Sequence, residues 1–207
     1  MSAHVGRIVV VRHGMTQWSS AGRHTGRTDI PLVPEGEVAA AALRGALAGL
    51  VDPLVLASPL QRAWRTAELA GFQPLPDPDL MEWDYGAWEG LTTDQIRTER
   101  RDEGWTIWDG PPAAGQSPGE SVAQVAERCA AVLQRCAAPL AHGRDCVLFA
   151  HSHVLRILTV TWLGMDPTAA RHLVLGPAHR GTLGRERECP ALLGWNFPPG
   201  VPDVLVG

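Results

Sequence analysis

Ile8-Val9-Val10-Val11-Arg12-His13-Gly14 decides how the rest of the chain is read. The apolar, β-branched run reads as a buried strand. It stops on a guanidinium, an imidazole and a glycine, at the strand end where open parallel α/β sheets place their ligands. The pattern recurs far along the chain, where Val147-Leu148-Phe149-Ala150 leads into His151-Ser152-His153. A lone histidine at such a place is readily a hydrogen-bonded loop residue. Two of them, one with an adjacent arginine, fit a shared site in which His13 takes up a phosphoryl group and His151 helps to hold it.

Working outward, strand signals at Ile8–Val11, Leu54–Ala57 and Cys146–Ala150 alternate with helical patterns at about Glu35–Leu50, Leu60–Ala70, Ser121–Ala137 and Val154–Leu163. Such alternation predicts an α/β fold with a mainly parallel central sheet and helices on both faces. Leu183–Arg185 and Ala191–Trp195 are weaker strand candidates. No repeat, linker or low-complexity stretch divides the chain, so residues 1–207 are expected to form one domain. The segment at about 82–120 carries Trp83, Trp88, Trp105 and Trp108 with several Gly and Pro residues, and reads as a lid or insert beside the site. Trp105 and Trp108 are expected simply to pack that segment onto the body.

The 207 residues are enough to bury a sizeable core. A net charge of −4 gives no broad basic field, which argues against nucleic acid or an anionic membrane as partner. An anionic substrate must then be caught by local charge, for which Arg12 and Arg62 stand ready. The strand begins within a few residues of Met1, leaving no room for a signal peptide. No apolar run approaches the ~20 residues of a membrane span. A cytoplasmic protein is the expectation. Cys129, Cys136, Cys146 and Cys189 form no C-x-x-C pair and read as reduced, mostly buried thiols.

Gly115-Gln116-Ser117-Pro118-Gly119 fits the G-x-S-x-G pattern of a hydrolase nucleophile elbow. That elbow needs a preceding strand and an N–H on the residue after serine. Pro118 has none to give. Ser117 with Glu120 is expected instead to form a capping box, with Pro118 at the first helical position.

Arg12-His13-Gly14-Met15-Thr16 resembles the signature of the histidine phosphatase superfamily, the phosphoglycerate-mutase-like proteins. Further motifs follow in that family's order. Ser58-Pro59-Leu60-Gln61-Arg62-Ala63 is similar to its arginine motif. Glu82-Trp83-Asp84-Tyr85-Gly86 with Trp88-Glu89-Gly90 is similar to its acid/base motif, and Ala150-His151-Ser152-His153 to its last motif. Ser152 stands where many members carry glycine. The Glu82 and Trp88 elements, with Gly119-Glu120-Ser121, look closest to the broad-specificity acid phosphatases and sugar-bisphosphate phosphatases.

The resemblance implies a phosphoglycerate-mutase-like fold and a metal-independent phosphomonoesterase of the histidine acid phosphatase type. It would act on small phosphorylated metabolites, with no cofactor, through a phosphohistidine on His13. Arg12, Arg62 and His151 would stabilise the phosphoryl charge. Glu82 would be the proton donor, its carboxyl tuned by desolvation against Trp83 and Tyr85. By position, Ser19, His24, Thr25, Gly26, Tyr85 and Ser152 would contact substrate, Gly26 through close backbone approach. His153 reads equally as a substrate contact or as a hydrogen-bonded residue opening the next helix. Arg23 and Arg27 read at least as well as solvated surface. His4, His142, His172 and His179 carry no motif. The oligomeric state is not readable, since Phe197–Val206 fits a packed tail as well as an interface.

Three rivals remain. A cofactor-dependent phosphoglycerate mutase would carry a longer, basic insert between Glu82 and His151. Arg100-Arg101 imitate its paired arginines, although Glu99, Asp102 and Glu103 beside them suggest a solvated helix face. An inactive phospho-ligand-binding module would tolerate loss of His13 or Glu82, and both are present. A metal hydrolase built on His13, His151 and His153 lacks carboxylates at suggestive spacing.

Overall fold

The β1 strand, Ile8–Arg12, alternates between two apolar layers, as the two-residue period of a strand requires. Val9 and Val11 face a cluster with Leu43, Ala57, Ala67 and Phe149. Ile8 and Val10 face the opposite way, into a cluster with Val125, Cys129, Val132, Leu155 and Leu158. Covered on both faces, the strand has no use for a polar side chain until Arg12. A computed structural model describes residues 4–112 and 117–201.

The other strands are β2 (Leu54–Ala57), β3 (Leu75–Pro76), β4 (Cys146–Ala150), β5 (Arg180–Glu186) and β6 (Cys189–Phe197). They lie in the order β3-β2-β4-β1-β5-β6. The first four run parallel, while β5 and β6 form an antiparallel hairpin on the far edge. The weaker late strand candidates become this hairpin. In the β1–β4 ladder Arg12 is opposite Ala150, so the two strands end level and the chain emerges at His13 and His151 together. One more ladder bond, His13 N to Ala150 O at 2.9 Å, closes the pair.

Helices α1 (Gln17–Ser20), α2 (Pro34–Ala46) and α3 (Gln61–Leu69) follow the first two strands, with α4 at Thr93–Arg100, α5 at Val122–Ala141 and α6 at Ser152–Trp162. The α2 and α3 helices cover one face of the sheet, α5 and α6 the other. Among the described residues no helix is long and apolar enough to cross a membrane. All four cysteines are free, and only Cys189 is exposed. Trp105 is buried in the core, with Trp108 packed against it.

One local expectation is corrected. The helix after the tryptophan segment does not start at Pro118. Its N-cap is Ser121, whose hydroxyl accepts from Gln124 N at 3.2 Å while Gln124 returns a bond to Ser121 N. Pro118 and Glu120 are drawn off by longer-range partners: Gly119 N donates to Pro112 O, Glu120 N donates to Asp84 O, and the Glu120 carboxylate faces Arg128. Gly115 and Gln116 lie outside the described residues, as does the last part of the Pro-rich tail.

Candidate active site

His13 is 5% exposed, and its Nδ1 lies 2.7 Å from the carbonyl of Gly14. A carbonyl only accepts, so Nδ1 carries the hydrogen and the lone pair is left on Nε2. Burial first, then the charges of Arg62 and Arg12, hold the ring well below the ordinary imidazole pKa, and it stays neutral. Gly14 is required by packing. A Cβ there would collide with the Gly36 backbone at the start of α2, while Gly14 N donates to Thr66 Oγ1 at 3.0 Å.

Arg12 extends from the strand end with one terminal nitrogen on Leu175 O at 2.6 Å. Its Nε is buried with no hydrogen-bond partner among the described residues. A buried, unpaired donor on a cation is costly unless something negative arrives.

Arg62 is fully buried at the first turn of α3. Nε donates to His151 Nδ1 at 3.1 Å; the terminal nitrogens reach the carbonyls of Thr28 (2.8 Å), Thr25 (3.2 Å) and Gly26 (2.8 Å). Four of its five N–H bonds therefore hold the 25–28 loop and His151. His151, also fully buried, presents its other nitrogen to Ser58 Oγ at 2.8 Å. Burial and Arg62 keep it neutral, and its ring stands 5.1 Å from that of His13.

Glu82 is placed differently from its expected apolar setting. Oε1 accepts from Trp83 N and Val154 N, both at 2.9 Å, and Oε2 accepts from His153 N at 3.1 Å. The carboxylate thus sits on the N-terminal turn of α6, where unpaired N–H groups favour an anion. The Trp83 indole spends its N–H on Glu120 O.

A cavity of about 190 Å³ joins Arg12, His13, Ser19, His24, Thr25, Glu82, Tyr85 and Ser152, together with Gly22, Arg23 and His153. Arg62, His151 and Gly26 do not line it. Gly26 is pressed against Trp83 O and the Glu89 carboxylate, so its close approach is to protein. His153 opens α6 as a hydrogen-bonded residue, its N–H on Glu82, and it also lines the cavity. The Tyr85 hydroxyl lies 2.6 Å from its Nδ1. Burial lowers His24 to about 4 and keeps His153 neutral as well. Among the described residues no three His, Cys, Asp or Glu side chains are grouped to hold a metal ion.

Three residues have positioning contacts that the sequence does not reveal, and Arg128 among them is not singled out at all. Glu89 accepts from the backbone N–H groups of Gly26 (2.8 Å), Arg27 (3.3 Å) and Thr28 (3.1 Å). Arg128 spends all five N–H bonds on Asp79 O, Met81 O, Glu82 O and the Glu120 carboxylate. Glu120 in turn receives Asp84 N and Arg27. Glu89 and Glu120 stand inside motifs named above without these contacts being readable from them, and Arg128 has no signal beyond its charge, which surface positions share.

The profile of the histidine phosphatase superfamily (branch 1) matches residues 8–198. An acid phosphatase of Mycobacterium tuberculosis is 39% identical over 87% of this chain and 87% of its own. A sedoheptulose 1,7-bisphosphatase of Saccharomyces cerevisiae is 32% identical over 77% of this chain and 68% of its own. A probable phosphoglycerate mutase of Cronobacter sakazakii is 34% identical over 82% and 80%, respectively.

Proposed function

The chain belongs to the histidine phosphatase superfamily, and we propose that it hydrolyses small phosphate monoesters, sugar phosphates among them, through a phosphohistidine on His13. One observation carries this reading: a neutral imidazole whose free nitrogen is Nε2 opens into the same cavity as Arg12 and Glu82. His13 Nε2 attacks phosphorus and the bond to the ester oxygen breaks. Glu82 protonates the departing alkoxide; Oε2, with only one backbone donor, is the oxygen with room for that proton. The carboxylate then takes a proton from water, whose oxygen attacks the phosphohistidine to release phosphate and restore His13.

Negative charge building on the phosphoryl oxygens is met by Nε of Arg12, which has no hydrogen-bond partner among the described residues, while Arg62 adds its positive charge from behind the cavity and holds His151 and the 25–28 loop. His151 acts through its contacts with Arg62 and His13. Guanidinium groups supply the charge that a metal ion supplies elsewhere, so turnover needs no metal and no cofactor. Ser19, His24, Thr25, Tyr85 and Ser152 shape the space for the alcohol. Gly26 allows the loop to pass.

Rapid quench with substrate should trap acid-labile, base-stable phosphate on His13, absent in His13→Ala and unaffected by excess EDTA. Label that persists in His13→Ala, or activity that collapses in chelator and returns with Zn²⁺ or Mg²⁺, overturns the reading. A mutase reading has a relative's name in its favour. Yet Arg100 packs over Trp88 and Trp105 and Arg101 is the exposed cap of α4, and neither lines the cavity. Rapid interconversion of 3- and 2-phosphoglycerate that depends on the 2,3-bisphosphate would favour the mutase.

A further inference from the structure

At about 190 Å³ the catalytic cavity is smaller than the ~300–1,000 Å³ of ordinary ligand clefts. It takes a phosphate and little of the alcohol. A second hollow of about 450 Å³ adjoins it, with His24 and His153 as the shared wall. Those rings stand 6.3 Å apart. His153 N is on Glu82 Oε2, the oxygen assigned to the leaving group, so the hollow lies on the side toward which the alcohol departs.

The hollow is lined by Trp108, Arg171 and His172 on its far side, and no carboxylate lines it. With His24 and His153 neutral, Arg171 is its one permanent charge. Arg171 is exposed and spends only Nε, on Thr168 O at 3.3 Å; among the described residues neither terminal nitrogen has a hydrogen-bond partner. Its backbone is fixed. Arg156 lies 4.6 Å over the Trp108 ring and donates to Ala170 O (3.1 Å) and Arg171 O (3.2 Å). The acids near Arg171 are engaged on their own turns: Asp109 with Thr106, and Asp166 with Thr168.

We propose that this hollow is a subsite for a second anionic group, phosphate or carboxylate, on the leaving-group side of the substrate, with Arg171 as its specificity-determining cation and His172 beside it. The assignment of sides rests on the phosphomonoesterase reading. A forked guanidinium with two free edges suits either oxyanion.

Calorimetry on His13→Ala, which removes turnover, tests it with hexyl phosphate, hexane-1,6-diol bisphosphate and 6-phosphohexanoate. At least one doubly anionic ligand should bind tenfold or more tighter than hexyl phosphate, and which one identifies the preferred group. Arg171→Gln on the same background should remove most of that ratio, and Arg171→Lys should keep part of it. Hexyl phosphate reports in each variant whether the first site is still folded. A doubly anionic ligand that binds no tighter than hexyl phosphate, or an Arg171→Gln that weakens all ligands alike, overturns the subsite. Absence of turnover of p-nitrophenyl phosphate by the unmodified protein instead counts against the hydrolase reading, while the binding ratio still decides the subsite.

Discussion

The floor of the cavity and its rim are held by different forces. His13 and His151 leave the sheet level because Arg12 pairs with Ala150, and that register is fixed by buried apolar residues along β1 and β4. The rim, made by the 24–28 loop and the segment that begins at Glu82, has only a short backbone bridge, Arg23 with Thr92, where His24 N donates to Leu91 O and Gly90 N to His24 O. Charged side chains pin its backbone groups one at a time: Glu89 on Gly26, Arg27 and Thr28, and Arg128 with Glu120 on the chain around Glu82. The floor is therefore a product of the whole core, and a single polar substitution should leave its geometry standing. Each part of the rim depends on one carboxylate or one guanidinium. In the proposed reaction, attack on phosphorus thus belongs to the rigid region, and proton transfer by Glu82 and substrate fit to the adjustable one.

Arg62 is where the two regions meet, so its loss should produce the largest effect. Arg62→Ala leaves His151 Nδ1 and three loop carbonyls without their donor. Buried hydrogen bonds to a charged group contribute ~1.5–3 kcal/mol each in mutational series, with overlap between neighbours. A loss of roughly 3 kcal/mol in denaturant stability and 10³-fold or more in kcat/KM is expected. Arg62→Lys should rescue little, since a point charge cannot reach acceptors on both sides. Recovery to within tenfold by lysine would show that charge alone matters and that floor and rim are not tied here.

Glu82→Gln comes next. Positioned proton transfer contributes on the order of 10²–10⁴ in rate, so hexyl phosphate hydrolysis should fall by about that factor. An aryl phosphate, whose phenolate leaves without help, should lose far less in single-turnover phosphorylation of His13. Equal losses for both would move the acid role to another carboxylate.

Glu89→Ala sharpens the contrast from the rim. It releases three backbone N–H groups, that of Gly26 buried and that of Thr28 exposed, and KM should rise roughly tenfold while kcat changes by a smaller factor; stability should fall by about 1–3 kcal/mol. Steady-state kinetics with alkyl and aryl phosphates decide it. A fall in kcat confined to the alkyl ester would give Glu89, not Glu82, the proton.

Much of the floor was legible because local sequence and global fold agree there. Four apolar residues before Arg12, and again before His151, can serve only as buried strands, and parallel strands deliver their ends to one place. Arg62 was found through its motif, but its bonds to loop carbonyls were not, since those partners lie more than thirty positions away. Similar distances hid Arg128 and the partners of Glu120. The capping box placed at Ser117 failed for a related reason: a local pattern lost to tertiary partners, and Ser121 with Gln124 offered an equivalent box four residues later. Desolvation of Glu82 by Trp83 and Tyr85 was the expectation; Glu82 is buried, but its oxygens are met by backbone donors from Trp83 and from the start of α6, which composition does not reveal.

The smallest effect expected is one of pH, and it sets both regions against the unfolded chain. His13 and His151 in the floor, His153 just after it on α6, and His24 in the rim are held neutral mainly by burial. An unfolded histidine binds a proton as pH falls through about 6.5. In the folded chain these four do not until lower pH, at about 4 for His24. Below 6.5 the unfolded state thus binds more protons, and stability must decline as pH falls through that window. Each imidazole contributes at most about 1.4 kcal/mol per pH unit. The urea midpoint should be flat from pH 8 to 7 and drop between pH 6.5 and 5, before ordinary carboxylates titrate. His24→Asn should flatten part of that slope, because it removes one proton from the unfolded state's advantage. The same depression keeps His13 nucleophilic in acid, so kcat/KM at pH 5 should not show an imidazole titrating near 6.5. A midpoint indifferent to pH across this window, or a rate that falls with such a titration, would mean that these imidazoles reach solvent and titrate as they do in the unfolded chain.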